Sequence, residues 1–345
     1  MEIGHRPLRD GLPQDLLSLV KKAEAAGVES AWASEELFHW DAFGILGYLA
    51  GGTNRIRLGP GVTSPYLRPP HLQAMSIATL DRLSQGRAFL GLGRSMTPWY
   101  EKLLGMDVGD AVEVVRENIG LLRQWWQEPY EASGEGYFKV RKLRRDVEGV
   151  QEHIPIYVAA VGPRMVEVAA RVADGLVFSW PSVEFLRKTI PLVKAERLKV
   201  GLDSERFIFA VQTGFKVTEE VGFALAGMKE QMGVMYSLPG LDNAMVSKDF
   251  DVPRIVEELR RVTRATKVLS MGGWTREFRE AADYEAVRRI IPDGLAAQVA
   301  IVGSEREVRQ RLIEYQALGI THIFVPMPEG EDVEQYKTFV KGISP

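Results

Sequence analysis

Four short stretches carry residues whose types and spacing could do chemistry. The first, "SEELFHWDAF", sets Glu35, Glu36, His39, Trp40 and Asp41 close together. A carboxylate or imidazole there can donate a proton once burial brings its pKa toward neutrality. The plainer reading leaves Glu35 and Glu36 solvated, and Asp41 reads best as the cap of the helix "DAFGILGYLAGG". The second, "YVAAVGPRM", puts Gly162 and Pro163 where a strand passes into a helix. Free N–H groups at such a start attract phosphate and Arg164 can add charge, although an ordinary capped turn has the same pattern. The third, "GLGRSMTPW", has Gly91 and Gly93 as a GxG, but Met96 takes the place of the third glycine and Pro98 interrupts the next turn. A dinucleotide fingerprint is therefore not formed. The fourth, "RIRLGPGVTSPYLRPP", begins as a strand at Arg55 and dissolves at Gly59-Pro60-Gly61 before Val62, Thr63 and Ser64.

Other chemistries fall away on composition. The chain of 345 residues has no cysteine, which removes disulfides, thiolate metal sites and a Cys nucleophile. The histidines His5, His39, His71, His153 and His322 show neither HxH nor HExxH spacing; His5 and His322 could approach only where the first and last strands meet. No metal site is expected. A formal charge of −3 offers no field for nucleic acid or an anionic membrane. The N-terminus lacks the apolar core of a signal peptide and "AFGILGYLAGG" is too short to span a bilayer, so a soluble cytoplasmic protein is expected.

Positioning these residues requires a scaffold, and short apolar runs alternating with amphipathic segments supply one. Strands are expected near Ile3–His5, Ser30–Ser34, Ile56–Gly61, Ala88–Leu92, Ile156–Ala160, Leu176–Ser179, Phe207–Gln212 and His322–Val325. Helix-like segments lie between them, such as the one from Pro13 to the stop at Gly27 and the one ending at Gly86. Eight strands in unbroken alternation favour an α/β fold of the (β/α)8 TIM-barrel type over an open sheet, as one domain spanning 1–345. Two insertions are expected: a hairpin within about 128–153, before the fifth strand, and a helical excess within about 219–293, between the seventh and eighth. The hairpin's Lys139, Arg141, Lys142, Arg144 and Arg145 read first as a solvated face, with anion recognition the alternative. Ser304 with Glu307 makes a capping box for the last helix. A barrel places its active site at the strands' C-terminal ends, so the four stretches, with Ser179, Gln212 and Pro326, fall on one face.

Together "VESAWASEELFHWDAF", "RIRLGPGVTSPYLRPP", "ATLDRLSQGRAFLGLGRS", "IPIYVAAVGPRM", "ADGLVFS" and "AIVGSEREVRQRLIEYQALGITHIFVPM" resemble the bacterial-luciferase-like superfamily of flavin- and deazaflavin-dependent oxidoreductases. Within it the chain looks most like the branch of coenzyme F420-dependent methylenetetrahydromethanopterin reductases. The resemblance implies a luciferase-like barrel, commonly a homodimer, that moves a hydride between F420 and a small organic substrate. It also implies a cofactor ring lying against a bulge in the third strand with a non-prolyl cis peptide, which falls at Gly61–Val62. The cofactor site so implied gathers Trp40, Gly61, Val62, Thr63, Ser64, Gly93, Arg94, Ala160, Val161, Gly162, Pro163, Arg164 and Ser179, the cofactor phosphate resting on Val161 to Arg164. Related F420 enzymes often have Asp-His at the positions of Glu35-Glu36, and an acidic residue near Arg94, Ser95 and Met96. Glu36 and His39 are the remaining candidates for the proton donor. An FMN-dependent monooxygenase is the alternative, and a cofactor-binding barrel without catalysis is the alternative of another class.

Overall fold

The computed structural model describes residues 1–8, 13–146, 148–273 and 275–325, with backbone alone at Ile3, at 5–8 and at Thr275. Its main sheet has eight strands, the first to eighth barrel strands: Glu2–Leu8, Ser30–Ala33, Arg57–Pro60, Leu90–Leu92, Ile156–Ala159, Gly175–Ser179, Ile208–Gln212 and His322–Val325. Most are short apolar runs, and helices such as Pro13–Ala26, Pro70–Leu83 and Pro163–Val172 return the chain between them. All pairs are parallel, in the order three-two-one-eight-seven-six-five-four. The remaining seam, between strands three and four, is joined at Leu58–Ala88 and Thr63–Leu92. Phe89 N–H donates to Leu58 O at 3.1 Å, Thr63 N–H to Gly91 O at 3.0 Å and Gly93 N–H to Thr63 O at 2.9 Å. The strands thus form the expected (β/α)8 ring.

That seam contains a bulge. The third strand takes five steps from Leu58 to Thr63 where the fourth takes four from Ala88 to Leu92, so one extra residue is pushed out of the ladder. The Gly61–Val62 peptide within it is cis. Two glycines allow the close approach: a Cβ on Gly91 would lie 2.1 Å from the Pro60 carbonyl oxygen, and one on Gly61 2.8 Å from Trp32 Cβ.

The barrel interior is filled by an aromatic layer. Trp32 packs against Phe89, Phe324 and Tyr157 with ring centroids 4.3, 4.9 and 5.8 Å apart. Because alternate residues of a strand share a face, the positions two further along, Ser34 after Trp32 and Ala159 after Tyr157, look into the open upper end.

Both insertions are present. Strands Glu131–Glu135 and Lys139–Arg144 form an antiparallel hairpin against helix Ala111–Trp126, where the Glu117 carboxylate accepts from the N–H groups of Tyr137 and Phe138. Across it Arg144 faces Glu131 and Lys139 faces Glu135, a pattern in keeping with a solvated face. The second insertion contains helices Val221–Ser237, Val252–Val262, Ala265–Ser270, Tyr284–Ile290 and Asp293–Val299. Its ends are stapled by a feature not expected from sequence: Phe215–Val217 and Ile301–Gly303 pair in parallel as a separate small sheet. The Ser304–Glu307 capping box is formed. Among the described residues no helix is long and apolar enough to cross a membrane.

The strand register separates the two histidines that chain closure might have joined. His322 lies opposite Glu2, whereas His5 lies opposite Val325, three positions along. Among the described residues no group of three or more His, Asp or Glu side chains is placed to hold a metal.

Candidate active site

The strands' C-terminal ends enclose a cavity of about 460 Å³. From the expected residues it gathers Glu36, Gly61, Val62, Gly93 and Arg94, then Ala160, Val161, Gly162, Pro163 and Arg164, with Ser179 at the end of strand six. Val62 reaches it because the bulge carries it off the ladder, beside Gly93, where a Cβ would stand 3.0 Å from Val62 Cγ2.

His39, Trp40, Thr63 and Ser64 do not line this cavity. Trp40, included in the implied cofactor site, is 57% exposed and outside the cavity wall. Thr63 and Ser64, placed in the implied cofactor site, are buried with their hydroxyls engaged inside the protein. Thr63 Oγ1 donates to Glu35 Oε2, and Ser64 Oγ shares a hydrogen bond of 2.7 Å with the Tyr100 hydroxyl, whose pKa burial pushes up. His39 stands behind Glu36, its Nε2 3.4 Å from Glu36 Oε2. Pro326 lies outside the described residues.

Beside the bulge, and reaching the cavity wall at Glu35, runs a charged network absent from the sequence expectations. Glu35 is buried and accepts from Arg68 Nε at 2.5 Å, while Arg68 also pairs with Asp41. The Arg68 guanidinium lies over the Phe43 ring, 4.5 Å from its centroid. Asp41 caps the following helix as expected, accepting from Gly44 N–H at 2.6 Å. The bulge is thus held through Thr63, with both charges satisfied. The spacing of Glu35 and Arg68 carries no local signal, because contact between them depends on strands two and three being neighbours.

On the opposite wall, helix Pro163–Val172 begins at Gly162 with Pro163 in its first turn and no side chain capping its N–H groups. A Cβ on Gly162 would meet nothing within 4 Å. Arg164 sits at the rim, paired with Asp110 at 2.6 Å. This is an open, donor-rich cradle suited to a phosphate. Apolar walls come from Met96 and Trp99 around the start of helix Thr97–Leu103, and from Met235, Leu238 and Leu241 of the second insertion; Trp99 was not singled out in the sequence. Pro98 occupies the first turn of that helix, so it starts the helix rather than interrupting it. The insertion is fixed over the barrel by the Tyr236 hydroxyl, which donates to Trp180 O at 2.5 Å, and by Ser182 N–H, which donates to Ala244 O at 2.9 Å.

The cavity therefore combines a protruding backstop, a phosphate cradle, the Glu36 carboxylate, with His39 behind it outside the lining, and an apolar roof. Such a space suits a flat ring bearing a phosphorylated tail with a small molecule above it.

Residues 2–322 match the family model described as luciferase-like monooxygenase. Over 97% of its length and 95% of the relative's, the chain is 25% identical to a 5,10-methylenetetrahydromethanopterin reductase of Methanopyrus kandleri. It is 35% identical to an F420-dependent glucose-6-phosphate dehydrogenase of Beutenbergia cavernae over 48% of this chain and 52% of that protein. The solved coenzyme F420-dependent tetrahydromethanopterin reductase from Methanopyrus kandleri has the same fold, with a TM-score of 0.78 at 24% identity, covering 98% of this chain and 96% of that one.

Proposed function

Because the chain belongs to the luciferase-like monooxygenase family, we propose that it is an oxidoreductase that transfers a hydride between coenzyme F420 and a small organic substrate. The observation that carries this reading is the bulge that sets Val62 in the cavity wall together with the uncapped helix start at Gly162. The relatives named for F420 support the choice of cofactor.

In this reading Gly61 and Val62 back one face of the deazaflavin ring, and the N–H groups following Gly162, with Arg164, hold its phosphate. The cofactor, when bound, supplies the hydride chemistry. The protein supplies geometry: the Glu35–Thr63 contact and the Ser64–Tyr100 hydrogen bond fix the bulge, so the ring meets a wall with little freedom to yield. Met96, Trp99, Met235, Leu238 and Leu241 exclude water from the space above the ring. Glu36 exchanges a proton with the substrate, and His39, 3.4 Å behind it, orients the carboxylate and can pass the proton outward. One barrel domain, a homodimer and a cytoplasmic location belong to the same reading.

Titration of the purified protein with F420 and with FMN, followed at each cofactor's absorbance band, tests it. F420 is expected to bind and to be reduced or reoxidised by an organic partner. Tight FMN binding without F420 binding would overturn the choice in favour of a flavin monooxygenase, and cofactor binding without turnover would leave a non-catalytic barrel.

A further inference from the structure

Arg94 is the one cavity residue whose charge the reading above leaves unused. It follows the fourth strand, is partly buried, and its Nη2 donates a 3.0 Å hydrogen bond to the Pro239 carbonyl of the second insertion. Among the described residues no carboxylate pairs with it. Burial lowers its pKa, and the Tyr66 phenol could offset that only if it were ionised. Burial pushes Tyr66 well above its ordinary value, so it stays neutral and donates its proton to Val108 O. The other cavity arginine, Arg164, already has Asp110.

A guanidinium set in a wall of Met96, Trp99, Leu238 and Leu241 has lost water without gaining a counter-ion. Its planar fork of donors matches a carboxylate in two-point contact. Position decides between cofactor and substrate. Gly93 lies against Val62 at the level of the backstop, whereas the Arg94 side chain runs to Pro239 in the roof. The phosphate cradle lies at Gly162, after strand five. Arg94 therefore addresses the space above the ring.

We propose that Arg94 is the anion anchor of the substrate site, and that the substrate is a small molecule with an apolar body and one carboxylate. This rests on the cavity being a substrate site, as in the reading above, and it adds the substrate class.

The test uses fluorine NMR binding of para-fluorophenylacetate and its neutral amide, para-fluorophenylacetamide, to the full chain with and without F420. Wild type should bind the carboxylate at least about tenfold more tightly than the amide, as a charge-assisted two-point contact implies. Arg94→Gln should bring the two within about twofold, Arg94→Lys should retain part of the preference, and Arg254→Gln, at an exposed position outside the cavity, should keep it. Separate F420 titrations of each variant should show Arg94→Gln changing cofactor affinity by less than about threefold. Equal binding of the two probes by wild type, binding of neither, or a preference that survives Arg94→Gln would overturn the proposal. Loss of F420 binding in Arg94→Gln with the preference intact would give Arg94 to the cofactor instead. If F420 fails to bind wild type while the Arg94-dependent preference remains, the cofactor reading falls and the anion site stands.

Discussion

Adding one methyl group at Gly91 should reveal how tightly the seam behind Val62 is built. An ideal Cβ there would stand 2.1 Å from the Pro60 carbonyl oxygen and 2.9 Å from the Trp32 ring, where ordinary contact begins near 3.4 Å. Strands three and four must part by more than an ångström at the point where Thr63 N–H donates to Gly91 O. Forced overpacking costs about 1–3 kcal/mol and a weakened ladder hydrogen bond about 1 kcal/mol more, so Gly91→Ala should lose about 2–4 kcal/mol. Gly120 provides the control, since a Cβ there meets nothing within 4 Å in the middle of helix Ala111–Trp126. Gly120→Ala should gain about 0.5–1 kcal/mol from helix propensity. Urea unfolding of both variants gives the stabilities, and cofactor titration gives the consequence at the site. Moving Pro60 shifts Val62, so Gly91→Ala should weaken F420 binding by about tenfold, equivalent to about 1.4 kcal/mol, while Gly120→Ala leaves it unchanged. A Gly91→Ala protein as stable as wild type with unchanged cofactor affinity would refute the account of the seam.

Glu35→Gln leaves the Arg68 side chain, 12% exposed, with Asp41 as its remaining carboxylate. Because the pair is nearly buried, a loss of about 3 kcal/mol is expected in urea unfolding, and a loss below 1 kcal/mol would contradict the network's role. Tyr236→Phe strips the buried Trp180 carbonyl of its donor and should cost about 1–3 kcal/mol, read as a lower unfolding midpoint. Arg164→Gln removes an exposed charge at the phosphate cradle, so F420 affinity should fall only about two- to fivefold, and less at high salt. His322 tests a pH dependence: burial lowers its pKa below 6.5 despite the hydrogen bond and charge of Glu2, with Arg57 adding to the lowering. The imidazole is therefore neutral in the fold and Arg57 supplies the positive partner of Glu2. The unfolded chain takes up a proton first, so this stability is complete above 6.5 and is lost as pH falls below it. His322→Asn should reduce the loss of stability between neutral and mildly acidic pH; an unchanged slope would show that His322 does not contribute.

The barrel was legible in the sequence because most strands are short apolar runs alternating with amphipathic segments, and every expected strand begins within two residues of an observed one. The break in the third strand was legible too, since Gly59-Pro60-Gly61 interrupts the pattern where the ladder breaks, while the bulge itself was implied by the family resemblance. Long-range partnerships were not. Phe215–Val217 and Ile301–Gly303 are too short to announce themselves, and their pairing depends on the whole insertion folding between them. The sequence places Thr63 and Ser64 after a strand without saying which way they turn; Glu35 and Tyr100 decide it. Trp40 drew attention by its type, yet the aromatic that lines the cavity is Trp99, set by the short helix after strand four. The roof from Met235 to Leu241 was foreseen only as a helical excess, because its position follows from contacts such as Tyr236 with Trp180.

A crystal structure of the protein with F420 bound tests the central claim most directly. The account predicts the deazaflavin ring with one face against Gly61–Val62, its phosphate at the N–H groups following Gly162, and Glu36 and Arg94 facing the space above the other face. A ring bound away from Val62, or a phosphate held elsewhere than the start of helix Pro163–Val172, would contradict it.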